Sequence, residues 1–459
     1  MQTTQKLPLI EKIGYGLGDT ATNLVWRTLM VFLPIFYTDV FGLSAAAVGT
    51  LLLVCRYWDG ITDFVMGLIA DRTKTRWGKF RPWILWTAIP FGIITVLTFT
   101  TPSLGPGGKL GYAYITYSLL ILVFTANNIP YSALTGVMSS DPQERTSLSS
   151  FRFVFAFLGG LITQGLNIYL VGFFGKGDDV AGYRLTMTLF AVISVLLFFT
   201  TFLTIRERVQ PPVQQRTSIR KDARDLFNNQ PWLVLFFLGI FFVTFTSLKQ
   251  GVTMYYFKYF IGNANLAASF MIAGLLAAMI GAALTQKLTA QFGKNRVLKA
   301  SLFVALVTSA ALYFPGAKNL PAVFIFSSLT EFSTGPIVAL FFAMLADAAD
   351  YSEWKNARRA TGLVFSAGSV SLKFGTGVAG ALIGWLLNAF GYVPNAAQSV
   401  AALQGIRLLI SVIPAIAVCL MIAVFHFYRL DEALLKRIQT ELQGRRLPPA
   451  RAAHQSSNI

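Results

Sequence analysis

The chain has 459 residues, 54% of them hydrophobic and 13% charged, with 40 phenylalanines and a formal net charge of +18. A soluble domain turns too much surface to water to carry that apolar excess, so the composition excludes one and points to lipid as the surrounding solvent. The bases fall in short segments between apolar runs, the pattern of membrane-protein loops, and no nucleic-acid partner is expected.

The N-terminal MQTTQKLPLIEK lacks the apolar core and small-residue cleavage site of a removable signal peptide, so the first span is expected to direct insertion. A helix that crosses a bilayer needs roughly 20 mostly apolar residues, and about twelve such spans follow one another. They lie near 12–37, 45–70, 82–101, 111–137, 149–174, 184–205, 232–258, 265–290, 297–315, 320–346, 361–389 and 402–428.

Span 1 carries Asp19, Asn23 and Arg27 at four-residue intervals, a polar stripe on one helix face. Span 2 carries Arg56, Asp59 and Asp63. At ~100° per residue Arg56 and Asp63 nearly eclipse each other, ~10 Å apart along the axis, with Asp59 between them. The loop that follows holds Asp71 and the bases Arg72, Lys74, Arg76, Lys79 and Arg81. Span 4 contributes Thr125, Asn127, Asn128 and Tyr131, and span 5 Arg152. The polar stretch 206–231 is read as a cytoplasmic connector between two six-helix bundles, 1–205 and 232–428, with a tail at 429–459. In the second half, Lys249, Glu331 and Lys373 lie within spans 7, 10 and 11, and Asp347, Asp350 and Glu353 close span 10.

Trp77-Gly78-Lys79-Phe80-Arg81 after span 2 is echoed by Phe292-Gly293-Lys294-Asn295-Arg296 after span 8. With the six-plus-six layout, this echo predicts an all-α membrane protein of the major facilitator type, twelve transmembrane helices in two bundles with substrate bound near the midplane. The loops after spans 2, 6 and 8 and the C-terminal tail hold the bases, so both termini are expected in the cytoplasm.

A charge at the bilayer centre costs about 2.5–3.5 kcal/mol on insertion scales and requires a partner or a watery cavity. One reading of the intramembrane charges is that they pair across helices and hold the bundle together. The other is that Asp59 and Asp63 present hard oxygen ligands to a small monovalent cation, with Thr62 and Thr125 adding neutral oxygens. Two like charges so close are unfavourable together, which invites one Na+, Li+ or H+. The loop residues Asp71, Arg72, Arg76, Lys79 and Arg81 form a candidate cytoplasmic gate, with Asp347, Asp350 and Glu353 as partners on the other half. GTGVAG at 375–380 reads as close helix packing rather than nucleotide binding. Cys55 and Cys419 lie far apart in apolar runs, and His426 and His454 are too few for a His-centred metal site. Neither a Walker A loop, a zinc motif nor a nucleophile elbow is present, which excludes an ATP-driven pump or a membrane hydrolase and leaves no cofactor expected.

YGLGD, WDGITD, RWGKFRPW and DAADYSEWKNARRATG at 347–362 resemble the glycoside–pentoside–hexuronide:cation symporters, from about residue 10 to about residue 430. The resemblance implies sugar uptake driven by Na+, Li+ or H+ across a bacterial inner membrane, with one chain sufficing as the working unit. It maps the family's cation ligands onto Asp59, Thr62, Asp63 and Thr125, and residues tied to sugar binding or coupling onto Arg152 and Lys373. Family members carry aspartates in spans 1 and 4 where this chain has Asn23 and Asn128, and a tryptophan where it has Ser132. A galactosyl ring is therefore a poor expectation, and a weakly acidic or xylosyl-type glycoside a better one. Asp19 and Arg27 are additions to span 1 that would help define this altered pocket. The alternative function is a uniporter or exporter of another small solute in the same fold.

Overall fold

In hydrocarbon every backbone N–H and C=O must find its partner inside the protein, so an isolated apolar run of this length folds as a helix. The computed structural model describes residues 6–139, 142–208, 224, 226–356 and 361–446. Among them the regular structure is helical, apart from one isolated bridge between Thr75 and Gly78.

The first half consists of α1 (Leu9–Val31), α2 (Ala45–Arg72), α3 (Arg81–Thr98), α4 (Pro106–Met138), α5 (Pro142–Gly175) and α6 (Asp179–Thr204). The second consists of α7 (Gln230–Tyr255), α8 (Leu266–Phe292), α9 (Lys294–Ala311), α10 (Leu320–Asn356), α11 (Thr361–Ala389), α12 (Val400–Ile410) and α13 (Val412–Phe425). A short α14 (Glu432–Arg446) follows. Every expected span has a helical counterpart, the last one broken at Ser411. The span 1 and span 7 helices both run on into wide π-type turns, Phe36–Val40 and Tyr256–Ile261, so the two halves share this feature at the same place. Most of the expected connector and the tail beyond residue 446 fall outside the described residues.

Nine helices among the described residues are long and apolar enough to cross a membrane. The expected spans outside that set are α1, α2 and α9, which carry Asp19 and Arg27, Arg56, Asp59 and Asp63, and Lys294, Arg296 and Lys299 respectively. Charges on α1 and α2 are paired inside the protein, Asp19 with Arg152 and Arg56 with Asp59.

Packing divides the chain into two compact units, one of residues 1–214, 247–273 and 376–410 and one of 215–246, 274–375 and 411–459. In the first, α1 packs on α5 and α6 through small residues and hydroxyls. Ser194 donates to the Ala21 carbonyl at 2.9 Å, Thr201 to Gly14 at 2.8 Å and Thr20 to Phe155 at 2.8 Å. Such bonds suit a bilayer, where helix association lacks a hydrophobic drive. The α2 and α11 backbones meet at Gly49 and Gly384, where a Cβ on Gly384 would fall 2.3 Å from the Ala45 carbonyl oxygen. The second unit has an aromatic and aliphatic core that includes Phe245, Leu302, Phe341 and Met421, and α14 seals it with Ile438 and Leu442.

The basic loop between α2 and α3 is anchored by Glu207. Its carboxylate accepts the backbone N–H groups of Lys79, Phe80 and Arg81 at 2.9, 2.7 and 2.7 Å. These are unpaired donors at a helix start, where negative charge is also favoured by the helix dipole. Gly78 has φ +114°, and a Cβ there would lie 2.5 Å from that carboxylate, so the anchor requires glycine.

Candidate functional site

The α2 acids and Thr125 of α4 come together as the sequence predicts. The Thr125 Oγ1 lies 3.2 Å from the Asp59 Oδ1 and 3.0 Å from the Asp63 Oδ1. Asp59 and Thr125 are almost wholly buried. A threonine hydroxyl has a single proton, so it can satisfy only one of two carboxylate oxygens at a time. Two carboxylates and a hydroxyl in contact present the hard oxygen donors that a small cation takes. Thr62 donates its proton to the Asp59 carbonyl at 3.0 Å, within its own helix, which leaves its lone pairs for another partner.

Arg56 supplies one counter-charge. Its Nη1 lies 3.5 Å from the Asp59 Oδ2, and its Nη2 donates to the Tyr117 hydroxyl at 3.2 Å. The guanidinium sits 4.5 Å above the Trp26 ring, which stacks on Phe124 at 4.3 Å. Arg56 and Asp59 thus form a buried ion pair beside a second carboxylate, Asp63. GTGVAG behaves as a packing element here: a Cβ on Gly377 would lie 3.0 Å from the Arg56 Cβ, and one on Gly380 2.8 Å from the Leu52 Cβ.

A second cluster joins α1, α4 and α5. Arg152 grips Asp19 with two prongs, Nε to Oδ2 at 2.7 Å and Nη2 to Oδ1 at 3.3 Å. The single Tyr131 hydroxyl proton is shared between the same Oδ2, at 2.9 Å, and the Tyr15 carbonyl. The guanidinium lies 4.8 Å from the Tyr131 ring centroid and 5.5 Å from that of Tyr15. Asn23, one turn on, donates to the Asp19 carbonyl at 2.9 Å. Asn128 and Arg27 are half-buried on α4 and α1, and Lys373 is half-buried on α11 in the other unit. Asn127 turns away to α3, donating to Thr87 at 2.7 Å.

Of the expected gate residues, the Asp71 side chain lies outside the described ones, and Arg72 and Arg76 are exposed. Lys79 and Arg81 sit in the Glu207-anchored loop, with the Arg81 Nε donating to the Phe202 carbonyl at 2.7 Å. Asp347 is buried against Lys294 at 2.7 Å, within its own unit. Asp350 and Glu353 are half-buried on α10.

Sequence reasoning missed Tyr15, Trp26, Tyr117, Glu207 and a buried node around Asp39. At the end of span 1, Asp39 pairs with Lys258 at 2.6 Å and accepts hydrogen bonds from Thr38 at 2.8 Å, Tyr259 and Tyr392. Lys258 also donates to the Asn395 Oδ1 at 2.9 Å, and Asn395 in turn donates to the Asp39 carbonyl. The available signal was an acid in span 1 and a base in span 7, each beside tyrosines at the close of its span.

A family model described as MFS/sugar transport protein matches residues 14–432. The chain belongs to that family. This is a family of transporters, not enzymes, and it agrees with the resemblance carried by WDGITD and RWGKFRPW. The chain is 38% identical over 455 residues to the putative glycoside/cation symporter YagG of Escherichia coli (strain K12), covering 98% of this chain and 99% of that one. It is 37% identical to the isoprimeverose transporter of Lactiplantibacillus pentosus over 93% of this chain and 90% of that one. Among solved structures, a bacterial homologue of the human lysosomal transporter Spinster shares the fold, with a TM-score of 0.64 over 96% of this chain and 98% of that one at 16% identity.

Proposed function

We propose that this MFS sugar-transport protein takes up a glycoside together with one monovalent cation, Na+, Li+ or H+, by alternating access. The observation that carries the reading is Thr125 held between Asp59 and Asp63 beside the buried Arg56. The two carboxylates and the Thr125 hydroxyl offer oxygen ligands to one cation, and the bound cation changes the field felt by the neighbouring helices. A ligand that binds one conformation better than another shifts the balance between them, and the effect is reciprocal between the two ligands. Asp19, Asn23, Arg27, Asn128 and Arg152 form the sugar end within the first unit, and Lys373 joins them by family resemblance. The relatives named as a glycoside/cation symporter and an isoprimeverose transporter support a glycosidic substrate, with a xylosyl-type glycoside as the leading class.

By the positive-inside rule the Gly78 loop and both termini face the cytoplasm of a bacterial inner membrane. One chain is the working unit. Arg72, Arg76, Lys79, Arg81, Asp350 and Glu353 form a cytoplasmic gate, to which Asp347 contributes through Lys294. The test is sugar uptake into membrane vesicles with Na+ and pH gradients imposed separately. The reading expects accumulation above equilibrium with one of them. Accumulation unaffected by either gradient contradicts symport and leaves uniport.

A further inference from the structure

We infer that Asp19 restricts this transporter to uncharged glycosides, by occupying the Arg152 guanidinium that would otherwise receive the carboxylate of a uronide. The inference rests on the reading of α1, α4 and α5 as the sugar end and narrows its substrate class. It discards the weakly acidic glycoside that the sequence left open beside the xylosyl type.

A guanidinium offers N–H donors in a fixed fork that matches a carboxylate, and this makes arginine the usual receptor for acidic sugars. Here the fork is already filled. Its Nε and Nη2 are both directed at Asp19, at 2.7 and 3.3 Å, while Tyr131 donates to the same carboxylate at 2.9 Å. The side chains of Arg152 and Asp19 are 23% and 12% exposed, so most of the pair is withdrawn from solvent while the guanidinium keeps an open edge. That edge retains N–H groups able to donate to sugar hydroxyls. An anionic sugar that approached it would bring a second carboxylate beside Asp19, whose own charge is already set against that of Arg152. Like charges in a partly desolvated site oppose binding, and discrimination of this kind needs a repulsive element as well as an attractive one. Asp19 is that element. The neighbouring amide of Asn23 adds hydrogen-bonding capacity and no charge, which suits a neutral ring.

Three probes isolate the charge. The 4-nitrophenyl xyloside, glucoside and glucuronide differ at C5 by a hydrogen, a hydroxymethyl group and a carboxylate, and both anomers of each are titrated onto the purified full chain at saturating Na+. The wild-type protein is expected to bind xyloside or glucoside at least about tenfold more tightly than glucuronide. Asp19→Asn frees the fork and is expected to move the glucuronide-to-glucoside affinity ratio at least about tenfold toward glucuronide. Asp19→Glu keeps the charge and should keep the rejection. Asp19→Ser replaces the asparagine variant if that one does not fold. Wild-type protein that binds glucuronide as well as glucoside overturns the inference, as does a folded Asp19→Asn or Asp19→Ser variant with an unchanged ratio. Failure of all three glycosides to bind wild-type protein removes the glycoside reading itself, a different result from loss of the charge preference alone.

Discussion

Arg56 lies against Asp59 one turn away on α2, with 3.5 Å between guanidinium and carboxylate and side-chain exposures of 5% and 0%. A base and an acid this deeply buried stabilise each other only as a pair, because either one alone is an uncompensated charge. Asp63 shares the Thr125 hydroxyl with Asp59, so a second carboxylate belongs to this cluster. The cation proposed for this chain would bind among those oxygens.

Removing the arginine should leave the Asp59 carboxylate without its pair. Arg56→Gln is expected to destabilise the protein by about 3–5 kcal/mol in the absence of Na+, the usual cost of breaking a buried pair. Saturating Na+ should return more stability to the variant than to the wild type, since the cation then meets an Asp59 carboxylate that has lost its arginine. Thermal unfolding with and without Na+ checks this, and equal Na+ shifts in both proteins would contradict it.

Thr125→Val keeps the shape of the side chain and deletes the oxygen between the two acids. Loss of that hydroxyl leaves buried acceptors without their donor, at a cost of about 1–3 kcal/mol. Cation affinity should fall by roughly tenfold or more, which corresponds to 1.4 kcal/mol. A Na+ titration of sugar binding measures it, and an unchanged midpoint would remove Thr125 from the site.

The Asp39 node should behave as one unit. Asp39→Asn and Lys258→Met are each expected to lower stability by about 3–5 kcal/mol. The double variant should cost clearly less than the sum, because the second change removes a partner already lost. Additive losses in thermal unfolding would mean that Asp39 and Lys258 do not depend on each other.

A pH effect is expected at the N-terminal end of α5, ahead of the membrane-spanning part. Lys12 hydrogen-bonds Glu144 and lies 2.8 Å from it, and the Leu7 N–H donates to it at 3.1 Å, so its carboxyl is held below the usual carboxylate range. A folded-state value below the unfolded one, about 4.3, gives stability that is fully present above that value. It is lost as pH falls through the lower folded value. The stability gap between wild type and Glu144→Gln should therefore be widest near neutrality and close in acid. A gap that widens in acid would contradict the pairing.

The acid cluster of α2 was legible because Asp59, Thr62 and Asp63 share one stretch of a helix, where the 3.6-residue period alone sets which side chains meet. The sugar end was legible in its residue types but not in its pairing. Asp19 and Arg152 lie 133 residues apart, and small residues such as Gly159, which faces the Asn23 Cβ, let α1 and α5 approach. Asp39 and Tyr392 are 353 residues apart, and no local pattern joins them. Glu207 read as one charge within a basic stretch, since its work as an anchor for α3 depends on where α6 ends. Asp347 read as a partner for the other half, while the fold supplies Lys294 from the neighbouring α9.

The central assignment proposed for this chain is that of Asp59 and Asp63 as ligands of the coupling ion. Its most direct test is ion-linked sugar binding in Asp59→Cys and Asp63→Cys, read as the change in glycoside affinity when Na+ is added or pH is lowered. The expected result is that the wild type tightens its hold on the sugar with one of these ions. Both variants should keep measurable sugar binding and lose that linkage. Full ion-dependent tightening in both variants would contradict the assignment.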